Sequence, residues 1–109
     1  MKQNIVICEP KKEARKESME LSLENLQQTV GGYIEVVYLH DTETPAVIVC
    51  NEEGRLLNLP ANRILHSEYG DTMLYGTFLI CGLDTEEGDF DGLTDELADR
   101  YLKLFKNPA

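Results

Sequence analysis

The sequence predicts an α+β domain, a mostly antiparallel sheet of four or five strands with two helices packed on it. Three observations carry this. Short apolar, β-branched runs of strand length recur at Asn4 to Glu9, Tyr33 to Leu39, Ala46 to Cys50 and Met73 to Cys81. Two amphipathic segments each follow a good N-cap, Ser22 and Thr94. The chain has 109 residues, of which 42% are hydrophobic, enough for one core and short for two. Residues 1–109 are therefore read as a single domain.

Asn4 to Glu9 is apolar on both faces, so it belongs in the middle of a sheet, and Pro10-Lys11-Lys12 turns the chain away. Ala14 to Leu21 suits either an exposed strand or a helical lead-in. After Ser22, the spacing of Leu23, Leu26, Gln27 and Val30 gives a helix of about two turns. Gly31-Gly32 ends it, because glycine takes the left-handed position past a helix without steric cost. Tyr33 to Leu39 is the next strand and His40 to Pro45 a polar loop. Ala46 to Cys50 follows, and Asn51-Glu52-Glu53-Gly54 turns it into Arg55-Leu56-Leu57, so these pieces read as a meander.

Asn58 to Arg63 is turn-forming, with room for one helical turn from Pro60. His66 to Asp71 reads as a loop. Met73 to Cys81 reads as one strand interrupted at Gly76 by a bulge or a close backbone contact. Leu83 to Gly92 is an acidic loop. From Thr94, Asp95 and Glu96 suit the first turn of a final helix. Its apolar face is Leu97, Ala98, Tyr101, Leu104 and Phe105. Lys103 and Lys106 sit near its end, and Asn107-Pro108 stops it.

The three cysteines, Cys8, Cys50 and Cys81, each close an apolar run. An odd count and the lack of a signal-like start lead us to expect free thiols in the cytoplasm. Burial at strand ends is the plain reading. A zinc site with His40 or His66, and a nucleophilic thiol on Cys50 or Cys81, are the sharper ones. The sequence carries no C-x₂-C pair, no phosphate-binding glycine loop and no H-E-x-x-H. We expect no cofactor, no metal and no enzymatic activity. Asn51, Asn58, Asn62 and Arg63 read as hydrogen-bonding groups in loops, and Glu35 as a residue of the solvent face.

There are 20 acidic and 10 basic residues, a net charge of −10. Duplex binding needs clustered Lys and Arg, and a membrane span needs about 20 apolar residues. Neither is present, so no direct nucleic acid and no membrane are expected as partners. Residues 1–33 balance to zero, and the remainder carries the whole −10. Residues 84–99 hold eight acids and no base. Such a run is either a solvated face or a docking surface for a basic protein. On the second reading Asp84, Glu86, Glu87, Asp89 and Asp91 are the partner-binding residues, with Glu52 and Glu53 secondary. A calcium loop from Glu87 through Asp89, Asp91 and Gly92 fails at its last position, where Ala98 stands for the required glutamate.

Four stretches carry a resemblance: Leu26-Gln27-Gln28-Thr29-Val30-Gly31-Gly32-Tyr33-Ile34-Glu35-Val36-Val37; Asn51 to Leu56 followed by Leu59-Pro60-Ala61-Asn62-Arg63; Gly76-Thr77-Phe78-Leu79-Ile80-Cys81-Gly82; and Leu93-Thr94-Asp95-Glu96. In this order the chain resembles a family of small uncharacterised domains of phages, plasmids and gut Firmicutes, domain of unknown function thirty-eight forty-six. The resemblance spans nearly the whole chain, apart from Lys11 to Glu20, and supplies no catalytic residues. It implies a mobile-element setting, in which small acidic proteins often oppose host defence. The functional expectation is thus a non-enzymatic anti-defence protein whose basic partner is a nucleic-acid-handling defence protein, most plausibly a CRISPR effector nuclease. Its acidic surface would compete for the channel that holds guide and target. The alternatives are a protein that sequesters a signal nucleotide, drawing on Arg55, Arg63, Tyr33 and Tyr75, and an accessory domain. The oligomeric state is left open.

Overall fold

The structure is a computed structural model and describes residues 1–39, 46–67, 70–84 and 86–109. The expected loop His40 to Pro45 lies outside these residues. In chain order the elements are β1 (Gln3–Cys8), β2 (Arg15–Met19), α1 (Leu23–Val30), β3 (Ile34–Leu39), β4 (Ala46–Asn51), β5 (Ala61–Ser67), β6 (Gly70–Tyr75), β7 (Phe78–Leu83), β8 (Phe90–Asp91) and α2 (Asp95–Leu104). The α+β class and the antiparallel pairing hold. The main sheet runs β2-β1-β7-β4-β3, and β8 pairs with β7 beyond the end of β1; β5 and β6 form a separate hairpin.

The side-chain alternation of the strands divides the core in two. Val6, Cys8, Ala46, Ile48, Cys50, Phe78 and Ile80 point to one face, where α2 and the hairpin cover them with Tyr101, Phe105 and Leu74. Phe78 meets Phe105 edge to face at 5.8 Å between ring centres. Ile5, Val47, Val49, Leu79 and Cys81 point to the other face, where Leu26 and Val30 of α1 cover them. Strands β4 and β7 are buried along nearly their whole length, as central strands between two covering layers must be.

Both helices start as read and α1 stops as read, whereas α2 ends at Leu104 with Phe105 as its C-cap, short of Asn107-Pro108. Ser22 Oγ accepts from the Asn25 amide and Thr94 Oγ1 from the Leu97 amide, and Gly31 sits at φ +79° past α1. Leu104, assigned to the apolar face of α2, is 61% exposed, while Leu97 and Leu102 pack against the core.

The segment before Ser22, left open between an exposed strand and a helical lead-in, is the exposed edge strand β2, whose Arg15, Lys16 and Glu17 guard the sheet margin against further pairing. Three expectations need correction. Arg55-Leu56-Leu57 is not a strand: residues 52–58 form continuous turns, stepped by Leu57 N–H to Glu53 O and Leu59 N–H to Gly54 O. Ala61 to Ser67 is a strand with no helical turn at Pro60, so His66 and Asp71 face each other across a hairpin. Gly76 is no bulge inside one strand, though the close contact expected there is present, its N–H meeting Pro60 O at 2.7 Å. It ends β6 at φ +76°, and the chain leaves the hairpin for the main sheet as β7.

Candidate functional site

The acidic residues sort by where the main sheet ends. Strand β7 emerges at Leu83, and Asp84 bends the chain back toward β8. The Asp84 carboxylate accepts from the Glu86 and Glu87 amides at 3.0 and 3.2 Å. Backbone bonds from Asp84 N–H to Asp89 O and from Gly88 N–H to Asp84 O close the loop. Gly88 takes φ +74° at the tip. Past β8, Gly92 N–H is held by Gln3 Oε1 and Leu93 N–H by Asn4 O, which pins the segment to the start of β1. Asp84, Glu86, Glu87, Asp89 and Asp91 thus stand on one short, hydrogen-bonded hairpin. None of them makes an ion pair among the described residues. Asp95 and Glu96 follow in the first turn of α2. The next acid, Asp99, is neutralised by Lys16.

Glu52 and Glu53 do not join this group. Ala46 pairs with Gly82 at the acidic end of the sheet, and β4 runs from there to Asn51 at the other end. Five strand steps separate the two ends, roughly 17 Å at ~3.3 Å a step. Exposed charges that far apart are screened from one another, because the Debye length is about 8 Å at physiological salt. The seven candidate acids therefore make two surfaces.

The thiols are buried and free. Cys8 and Cys50 point to one face of the sheet and Cys81 to the other, so they do not converge. Burial pushes Cys8 and Cys50 up to about 11 and Cys81 to about 12, which suppresses the thiolate that nucleophilic or metal chemistry requires. Among the described residues no group of three or more His, Cys, Asp or Glu is placed to hold a metal ion, and no helix is long and apolar enough to cross a membrane. His66 is exposed and paired with Asp71 at 2.8 Å; His40 lies outside the described residues.

Asn51, Asn62 and Arg63 are hydrogen-bonding groups, as read, but they act from within strands β4 and β5 and are buried rather than in loops. Asn62 is fully buried and donates to the carbonyls of Cys8 and Gly76, both at 2.8 Å. Arg63, 3% exposed, donates to the carbonyls of Phe105, Lys12 and Lys106 and to Asn62 Oδ1. Among the described residues its guanidinium has no carboxylate partner. It sits on the carbonyl end of α2, where the helix dipole favours a cation. Asn51 is buried, with its amide on Val30 O and its oxygen on the Glu53 amide. The exposed Asn58 takes a left-handed turn position at φ +56°. Nothing in the local sequence marks Asn62 and Arg63 for burial, since their partners lie up to 54 residues away.

Of the basic and aromatic groups a nucleotide pocket would draw on, Arg55 and Tyr75 line one open groove together with Glu35, Glu52 and Asp71. Arg63 is buried elsewhere, and Tyr33 is 71% exposed.

Residues 1–106 match the profile of a protein family described as Domain of unknown function (DUF3846). No curated protein and no solved structure matches the chain.

Proposed function

We propose, for a chain that belongs to the DUF3846 family of uncharacterised domains, that it works by binding and not by catalysis. Its acidic hairpin docks on the positively charged channel of a protein that handles nucleic acid. The observation that carries this reading is the hairpin of Asp84, Glu86, Glu87, Asp89 and Asp91. Backbone hydrogen bonds close the hairpin, the Asp84 and Asp91 carboxylates accept backbone amides, and among the described residues none of the five carboxylates has a counter-ion. Exposed charges fixed in place give up little entropy on meeting a partner and raise its encounter rate. Within the mobile-element setting implied by the resemblance, the partner is a host defence protein of the CRISPR effector nuclease class. Such an effector holds guide and target through backbone contacts in a basic channel, which a cluster of carboxylates on a hydrogen-bonded hairpin can occupy without copying any sequence.

The test is target cleavage by a purified effector nuclease, with and without the protein. Inhibition by the wild type, and its loss when the five hairpin acids are replaced by Asn or Gln, is the expected result. Equal inhibition by both proteins contradicts the mechanism.

A further inference from the structure

On the face that carries α2, the covering layer is incomplete. The hairpin sets β5 beside the end of α2, through Arg63, and β6 over β4. Beyond β6, no described residue covers part of the face of β3 and β4, and a groove of about 440 Å³ runs there. Val37 and Cys50 lie in its floor with Glu35, and Glu52 and Arg55 at one end. Its wall is the whole stretch Asp71 to Tyr75. A strand that presented only a face would line a groove with alternate residues. Five consecutive residues mean that the backbone edge of β6 faces the opening. Among the described residues β6 pairs with β5 alone, so the N–H and C=O groups on its other edge have no strand beside them.

We propose that this groove receives an extended, basic segment of a partner protein, which adds to β6 as a third strand. Main-chain hydrogen bonds to an open edge supply affinity, and pockets for alternate side chains supply specificity. Here small apolar side chains would rest on Val37 and Cys50. Lysine or arginine would meet Glu35, Glu52 and Asp71, against which the groove sets one cation, Arg55. Asp71 is already bonded to His66 across the hairpin; among the described residues Glu35 and Glu52 make no ion pair. A second copy of this chain is the poorer occupant, because each copy carries −10 and like charge opposes association. The site is separate from the hairpin Asp84–Asp91 and does not depend on the proposed inhibition.

The experiment is amide hydrogen exchange followed by NMR on the full chain, with the capped peptide Lys-Val-Lys-Val-Lys as the probe. Its controls are Glu-Val-Glu-Val-Glu and a Lys-Val-Lys-Val-Lys peptide N-methylated on alternate amides. We expect the basic peptide to slow exchange within Asp71–Tyr75. The Glu35→Gln/Glu52→Gln variant, altered only at exposed positions, should bind it about tenfold more weakly. Neutralising the Asp84–Asp91 acids should leave binding in the groove intact. Protection confined to Asp84–Asp91, equal binding of the methylated peptide, or unchanged affinity in the double variant overturns the proposal. So does protection of β6 that grows with protein concentration in the absence of peptide, which would assign the edge to a second copy.

Discussion

Arg63 Nε donates to the carbonyl of Phe105 at 2.8 Å, joining β5 to the C-cap of α2 across 42 residues of sequence. The same guanidinium reaches Lys12 O and Asn62 Oδ1. One side chain thereby ties the β1–β2 turn, the hairpin and the last helix together.

Replacing Arg63 takes the donor from Phe105 O, Asn62 Oδ1 and Lys12 O, each at a desolvation cost of about 1–3 kcal/mol where it stays buried. Arg63→Ala should destabilise the fold by about 3 kcal/mol or more. Arg63→Lys, which keeps the charge but not the fork, should lose less. Urea midpoints of the two variants check the order.

Gly31 and Gly76 both take positive φ but differ in surroundings. A Cβ at Gly31 meets nothing within 4 Å, whereas at Gly76 it would lie 2.7 Å from Leu59 Cδ1 and 3.3 Å from Leu59 Cβ. Gly31→Ala should cost about 1 kcal/mol for the left-handed backbone alone. Gly76→Ala adds the displacement of Leu59 and should cost about 2–3 kcal/mol. Thermal melts of the pair measure the difference.

The thiols predict an alkaline limb of stability. Their folded values of about 11 to 12 lie above the ordinary value of 9.0, so the fold binds these protons more tightly than the unfolded chain. The stabilisation is fully present below pH 9 and is lost as pH rises through 11 to 12. The urea midpoint should fall over that window, and less steeply when all three cysteines are alanine. At pH 8 a disulfide reagent should react with the native thiols at least about 100-fold more slowly than in urea, since two pKa units cut the thiolate a hundredfold.

What could be read from the sequence follows from the range of each interaction. Ser22, Thr94 and Gly31 were legible because a cap bonds within four residues. Strand β5 was not: Pro60, Asn62 and the polar ends of the segment favour turns locally, and only pairing with β6 makes it extended. The switch at Gly76 was hidden because Met73–Tyr75 and Phe78–Cys81 are both strand-like, and composition does not record that they enter different sheets. The acidic run was plain in the sequence. That Glu52 and Glu53 lie at the opposite end of β4 from the hairpin is a matter of register, which the sequence does not print. Arg63 looked like a loop residue because its acceptors are backbone carbonyls, which every residue carries.

Neutralising the five hairpin acids should leave the fold intact, because Asn at position 84 still accepts the Glu86 and Glu87 amides. Removing like charges changes stability by about 0.5 kcal/mol or less at such exposed sites. An unchanged or slightly raised melting temperature is the expected outcome.

The most direct test is the association rate constant for an immobilised CRISPR effector nuclease, measured from low to high salt for the wild type and for the five-acid variant. A wild-type rate that falls steeply with ionic strength, and a slow, salt-insensitive rate for the variant, is the result this account predicts. Wild-type and variant rates that coincide at every salt concentration would contradict it.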